Sequence, residues 1–172
     1  FFLFLSAVSV TVMAQSPVYD ILLQNGKIID GTGNSWYYGS VGIKDRKIIA
    51  VGRNINGNAA KTIDAAGLII APGFIDVHTH IEDDEKRNPT ADNFIYDGVT
   101  TVITGNCGLS NPDISNYFHF LDSLKTSVNV ASLIGHNDVR KAVMGRANRD
   151  ATENELQQME NIVDKAMKAG AV

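Results

Sequence analysis

The sequence predicts an α/β protein, in which a small β-sandwich segment is followed by the first three units of a (β/α)8 barrel. Up to residue 70, short apolar runs are separated by frequent turns, which is typical of β structure. After Pro72, strand-like runs alternate with helix-like segments, which implies parallel strands. A complete barrel takes about 250 residues. The residues after Pro72 therefore suffice for an incomplete fragment of such a barrel.

The predicted β segment spans residues 15–70. An Asn-Gly pair at Asn25-Gly26, between two apolar runs, is the strongest short signal for a β-hairpin. A second reversal is expected at Asp45-Arg46, between two further apolar runs. The predicted strands cover residues 19–24, 27–30, 40–44, 47–52, 62–64 and 68–70.

The predicted barrel segment spans residues 71–172. The pattern predicts strands at 74–77, 99–104 and 128–134, with helices at 91–96 and 114–125 and a third that begins after Thr152. The residues Thr152 to Glu155 have the capping-box pattern of a helix N-terminus. Apolar residues then recur at helical spacing, and Gly170 is a natural C-terminal stop.

Composition and charge restrict the class of protein and of partner. Hydrophobic residues make up 44% of the chain and charged residues 20%, which suits a soluble globular protein with a buried core. A net charge of −4 argues against nucleic acid or an anionic membrane surface as the partner.

Residues 1–14 resemble a signal peptide whose charged n-region is missing. Residues 1–12 are almost wholly apolar, and Ala14 is a plausible cleavage position. A membrane span needs about 20 apolar residues, so this run is too short to cross a bilayer. We expect an exported protein, periplasmic or secreted; the alternative is a buried N-terminal strand. The missing initiator methionine, and an end directly after a helix, indicate a fragment of a longer chain.

Three residues at the ends of predicted strands form a candidate metal site. His78 and His80 end the first barrel strand, where side chains two residues apart point to the same face. Cys107, the only cysteine, follows the second strand and can form no internal disulfide. In (β/α)8 barrels the active site lies at the carboxyl ends of the strands. Imidazole and cysteine side chains gathered there are well placed to hold a metal ion.

Other polar residues near these strand ends can be interpreted either as part of the site or as structural or solvated residues. His136 follows the third strand and is either a site residue or a hydrogen-bonded histidine. Arg140 and Arg146 could bind an anionic group at the rim of the site or be solvated or structurally paired. His119 lies within a predicted helix and is expected to be structural or exposed. The acidic residues 82–85 are expected to form a solvated loop, although one of them could orient a ligating histidine.

Three segments resemble a known family. Residues 72–80, which read PGFIDVHTH, resemble the first-strand signature of the amidohydrolase superfamily. Residues 98–108 and 133–140 narrow the resemblance to the N-acyl-D-amino-acid deacylase (D-aminoacylase) group. This resemblance implies a metal-dependent barrel flanked by a small β-domain. It also implies a small-molecule substrate as the partner, since the family hydrolyses the amide bond of N-acyl-D-amino acids and releases a carboxylate and a D-amino acid.

The resemblance also implies roles for individual residues. His78 and His80 match the first-strand metal ligands of the family, and Cys107 matches a cysteine ligand that can bridge two metal positions, so one or two zinc ions are expected. The sequence departs from some members at Ile81-Glu82, where they have aspartate. The general base and the remaining ligands are expected beyond Val172, so no catalytic residue is assigned within the chain.

Two alternatives remain open. One is a cyclic amidase, related to dihydroorotase or hydantoinase, against which Cys107 argues because it replaces a bridging lysine. The other is a non-catalytic truncated remnant, which would expose unpaired strand edges where the barrel fails to close.

Overall fold

The computed structural model describes residues 18–172. These residues fall into two compact units that divide between Pro72 and Gly73. The predicted signal peptide at residues 1–14 lies outside the described residues. Within residues 18–172, none of the helices has the length and apolar character that a membrane span requires.

The first unit contains one mixed β-sheet. Its strands are β1 (Val18–Ile28), β2 (Tyr37–Lys44), β3 (Lys47–Gly52), β4 (Asn58–Asp64) and β5 (Ile69–Ile70). The order is β3-β2-β1-β4, and β5 also pairs with β1. β1 runs antiparallel to β2 and parallel to β4 and β5. The described residues therefore supply one sheet of the predicted sandwich segment.

The prediction of a hairpin at Asn25-Gly26 is wrong. β1 continues through both residues, and its register with β2 shifts between Leu23 and Gly26. Asn25 has a φ of 61°, so it supplies the left-handed conformation that a bulge uses. A side chain at Gly26 would meet Ile70 Cδ1 at 2.3 Å. The strand continues because the residues after the bulge pair with both β2 and β5.

The predicted reversal at Asp45-Arg46 is confirmed. β2 and β3 pair antiparallel, with Lys44 opposite Lys47, which leaves two residues for the turn. Asp45 and Arg46 have φ values of 48° and 62°. Two consecutive positive φ angles define the type I′ turn, whose twist matches that of the flanking strands.

The second unit contains the predicted alternation of strands and helices. Its strands are β6 (Phe74–Asp76), β7 (Val99–Thr104) and β8 (Asn129–Ser132), and its helices are α1 (Asp92–Ile95), α2 (Ile114–Leu124), α3 (His136–Met144) and α4 (Glu153–Lys168). The three strands are parallel in the order β6-β7-β8. Their carboxyl ends therefore lie at one edge of the sheet, as the barrel prediction requires.

The helices pack around two buried clusters. Val102 of β7 is fully buried and packs with Ala91, directly before α1. Ile114 of α2 packs with Ala166 of α4. The predicted capping box of α4 is present, since Thr152 Oγ1 accepts from the Glu155 backbone and the Glu155 carboxylate accepts from the Thr152 backbone.

Helix α3 is an α-helix of the second unit that the sequence pattern missed. Only Val139 and Met144 of its residues are buried. Two buried positions within nine residues give a weak apolar stripe, so periodicity alone does not distinguish this segment from a loop. Its position nevertheless matters, because α3 begins at the predicted site residue His136.

Candidate metal centre

The two histidines of the site lie just beyond the end of β6 and are held there by the residue between them. Thr79 is only 5% exposed. Its backbone N–H and its hydroxyl both donate to the carbonyl of Ile103 in β7, at 3.0 and 2.9 Å. His78 and His80 flank this anchor and are exposed, with ring centroids 5.5 Å apart. The alternation of side-chain directions that is expected of a strand thus continues beyond the last paired residue of β6.

Cys107 approaches the histidine pair from the end of β7. Its Sγ lies 3.5 Å from Nε2 of His78. One ligand atom from each of His78, His80 and Cys107 lies within 4.8 Å of the other two. Zinc binds nitrogen at about 2.0–2.1 Å and sulfur at about 2.3 Å. Donor atoms that already lie this close need only small side-chain movements to share one ion, so the donor set fits a metal.

The backbone around Cys107 is unusual. Cys107 has a φ of 56°, in the left-handed region that residues with side chains seldom adopt. Such a conformation costs roughly 1–3 kcal/mol and persists only where the surroundings impose it. Here Asn137 Nδ2 donates to the Cys107 carbonyl at 3.3 Å, and Leu133 N donates to Thr104 O at 2.9 Å. The structure therefore fixes this backbone in the conformation that directs the sulfur toward His78.

Glycines allow the cysteine loop, Gly105–Gly108, to pack against the start of α3. A Cβ on Gly105 would lie 2.4 Å from the Leu133 carbonyl oxygen. A Cβ on Gly135 would lie 2.5 Å from the carbonyl oxygen of Gly108. The two segments are also joined by a hydrogen bond from Gly135 N to Ser110 Oγ at 2.7 Å. Backbone-to-backbone packing of this kind leaves no room for side chains.

The predicted solvated loop at residues 82–85 is confirmed for Asp83 and Asp84, which are exposed, and is wrong for Glu82 and Glu85. Glu82 is half-buried, and its Oε1 accepts from Gly105 N at 2.9 Å. Glu85 is 7% exposed and accepts a hydrogen bond from the Tyr117 hydroxyl. Burial raises the pKa of Tyr117 well above its usual value, and the hydrogen bond to Glu85 adds to the shift.

His136 and His119 lie outside the donor cluster. His136 is the first residue of α3 and is exposed, and its Nδ1 lies 3.5 Å from Oδ1 of Asn137. It lines a small cavity together with Cys107, which keeps it beside the site. His119 lies on α2 and is exposed, which was one of the two alternatives predicted for it.

Arg140 was predicted either to bind an anionic group or to be solvated or structurally paired, and its contacts match structural pairing. Its guanidinium donates to the carbonyls of Ala147 and Arg149, each at 2.9 Å, and contacts Met144 Sδ. These bonds fix the chain that leaves α3. Arg146 is exposed, which matches its solvated reading.

A cavity of about 940 Å³ opens beside the candidate ligands. Its lining includes His80, Cys107, Glu82, Glu85 and Tyr117. Small-molecule sites typically occupy about 300–1,000 Å³. The second unit alone therefore supplies both a metal-donor cluster and an adjoining space of a size suited to a small substrate.

Known proteins share sequence with most of this chain. The model of the amidohydrolase family matches residues 61–172. D-aminoacylase from Alcaligenes xylosoxydans xylosoxydans is 34% identical in an alignment of 182 positions, which covers 92% of this chain and 38% of that protein. N-acyl-D-aspartate deacylase from the same organism is 33% identical in an alignment of 175 positions, which covers 88% of this chain and 35% of that protein. The chain thus spans little more than a third of the length of these relatives.

Solved structures give the same result. N-acyl-D-glutamate deacylase from Bordetella bronchiseptica, complexed with zinc and a phosphonate mimic of the tetrahedral intermediate, superposes with a TM-score of 0.85 at 34% identity, covering 91% of this chain and 38% of that one. A D-aminoacylase structure that addresses the role of its binuclear metal centre gives 0.83 at 36% identity, covering 90% and 37%. The partial (β/α)8 barrel is thereby confirmed.

The family match extends over more than half of the chain and includes the whole second unit, with the histidine pair and the cysteine loop. This chain belongs to the amidohydrolase family.

Proposed function

We propose that the protein containing this chain is a zinc-dependent hydrolase that cleaves the amide bond of N-acyl-D-amino acids. The products are a carboxylate and a D-amino acid. The observation that carries the proposal is the cluster of His78, His80 and Cys107, whose ligand atoms lie within 4.8 Å of one another. It occurs in a chain that is about a third identical to D-aminoacylase and to a zinc-complexed N-acyl-D-glutamate deacylase.

The residues of the cluster suit zinc by their chemistry. Two imidazoles and one thiolate are donors that zinc favours over the oxygen ligands of magnesium or calcium. The thiolate of Cys107 can serve one ion or bridge two, so one or two zinc ions are proposed. Bound zinc would lower the pKa of a water molecule and polarise the scissile carbonyl. The general base and the other ligands are proposed to lie beyond Val172.

The test is hydrolysis by the purified full-length protein. N-acetyl-D-amino acids with neutral, acidic and basic side chains are compared with their L enantiomers, and release of free amine is measured. We expect turnover of D substrates and little or none of the L series. Removal of zinc with a chelator should abolish the activity, and added zinc should restore it.

The same assay separates the alternatives. D-hydantoinase from Ralstonia pickettii is 42% identical, but over only 52% of this chain. A dihydroorotase structure gives a TM-score of 0.54 at 22% identity, which shows a shared fold alone. Hydrolysis of hydantoins or dihydropyrimidines without N-acyl-D-amino acids would identify a cyclic amidase. A zinc-loaded protein inactive on both substrate classes would indicate a non-catalytic remnant.

We also propose that residues 1–14 direct export, because their apolar run ends at a plausible cleavage position. The protein isolated from its source should then begin at Gln15. Trypsin would release a terminal peptide from Gln15 to Lys27, since no lysine or arginine lies between them. A terminal peptide that still contains residues 1–14, detected by mass spectrometry, would contradict this proposal.

A further inference from the structure

We infer that Glu82 is a positioning residue for Cys107, through which it controls how tightly the site binds its metal. This inference rests on the proposed zinc centre. Glu82 itself lies outside the cluster of donor atoms formed by His78, His80 and Cys107. Its carboxylate instead contacts the chain on which the cysteine is carried.

The contacts of Glu82 converge on the start of the cysteine loop. Its Oε1 accepts from the backbone N–H of Gly105 at 2.9 Å and from the hydroxyl of Thr104. Gly105 precedes Cys107 by two residues, and Glu82 follows His80 by two. A single carboxylate oxygen therefore joins the histidine segment to the cysteine segment.

The surroundings strengthen this connection. Thr104 is fully buried, so water does not compete for its hydroxyl. Asn106 adds a parallel link, since its Nδ2 donates to Ile103 O at 2.9 Å and contacts Thr79 O at 3.5 Å. Without Glu82, the N–H of Gly105 would lose its acceptor, two residues before the left-handed backbone of Cys107. The loop would then be freer to move the sulfur away from His78.

The experiment compares variants of the full-length protein. Zinc affinity is measured by competition with a chromophoric chelator. In the cobalt-substituted protein, the thiolate-to-cobalt charge-transfer absorption reports the bond to Cys107, with C107A as the reference that lacks this band. We expect E82A to bind zinc about 10- to 100-fold more weakly, the usual effect of removing a partner that orients a ligand. Its cobalt band should also weaken.

Two further variants distinguish the hydrogen-bonding role of Glu82 from an effect of its charge. E82Q keeps an oxygen that can accept from Gly105 N, so it should bind zinc within a few-fold of the wild type. D84N removes the same unit of charge from a neighbouring exposed residue, whose ion pair with Arg87 at 3.4 Å is solvated. It should match the wild type. Should E82A not fold, E82D replaces it, because it keeps the charge but shortens the reach to Gly105.

Wild-type affinity and an unchanged cobalt band in E82A, or in E82D where that variant replaces it, would overturn the inference and leave the proposed function intact. E82Q as impaired as E82A would also overturn it, because the charge rather than the positioning would then matter. A wild-type protein that binds no zinc would overturn both the inference and the zinc-dependent function.

Discussion

Replacing Cys107 by alanine is expected to lower the proposed deacylase activity of the full-length protein by about 100- to 1,000-fold. The substitution removes one of three clustered donor atoms and the only cysteine sulfur of the chain. Metal ions contribute several kcal/mol of transition-state stabilisation, and each 1.36 kcal/mol corresponds to a factor of ten in rate. A site that binds zinc poorly or in the wrong place loses much of that contribution.

The measurement is kcat/KM on an N-acyl-D-amino acid, together with zinc content. C107S should also be strongly impaired, because a neutral hydroxyl replaces a thiolate. H119A is the control, since it removes an exposed histidine from α2, outside the cluster. We expect H119A to retain wild-type activity and zinc. If C107A kept both properties as well, the sulfur would not be a ligand.

The donor cluster was predictable because two short-range signals are combined by one rule of topology. A His-x-His pattern gives the relative direction of His78 and His80, and Cys107 follows the next predicted strand. In a parallel sheet the carboxyl ends of neighbouring strands meet at one edge. His78 and Cys107 are 29 residues apart in the sequence. Their proximity was nevertheless predictable from the two strand assignments and this rule alone.

The supporting contacts were not predictable in the same way. Glu82 and Glu85 read locally as members of an acidic loop, but their partners Gly105 and Tyr117 lie 23 and 32 residues further along the chain. No period or turn pattern connects such residues. Only the packing of the loop against β7 and α2 shows that two of the four acids accept specific hydrogen bonds.

The two turn predictions differ for a related reason. Asn25, Asp45 and Arg46 all adopt positive φ, which Asn and Asp tolerate better than most residues with side chains. At Asp45-Arg46 this conformation reverses the chain. At Asn25 it forms a bulge, because β5 offers the following residues a partner strand. The sequence predicted a reversal in both places, and the tertiary pairing decided whether the strand ended.

Replacing Gly105 by alanine is expected to destabilise the protein by about 2–5 kcal/mol. Gly105 has a φ of 81°, and the left-handed conformation costs a residue with a side chain roughly 1–2 kcal/mol. The new Cβ would also lie 2.4 Å from the carbonyl oxygen of Leu133. Overpacking costs about 1–3 kcal/mol. The backbone cannot easily relax, because Leu133 N donates to Thr104 O at 2.9 Å.

The two contributions are separated by a second glycine of the same unit. Gly98 has a φ of 78°, but a Cβ there would make only ordinary contact with the Phe74 ring, at 3.4 Å. G98A should therefore show the conformational cost alone, about 1–2 kcal/mol in chemical denaturation. The additional loss of unfolding free energy in G105A, relative to G98A, measures how firmly the cysteine loop is packed against Leu133. Equal losses in the two variants would mean that this packing yields, and that the loop is not fixed by its contact with the residues after β8.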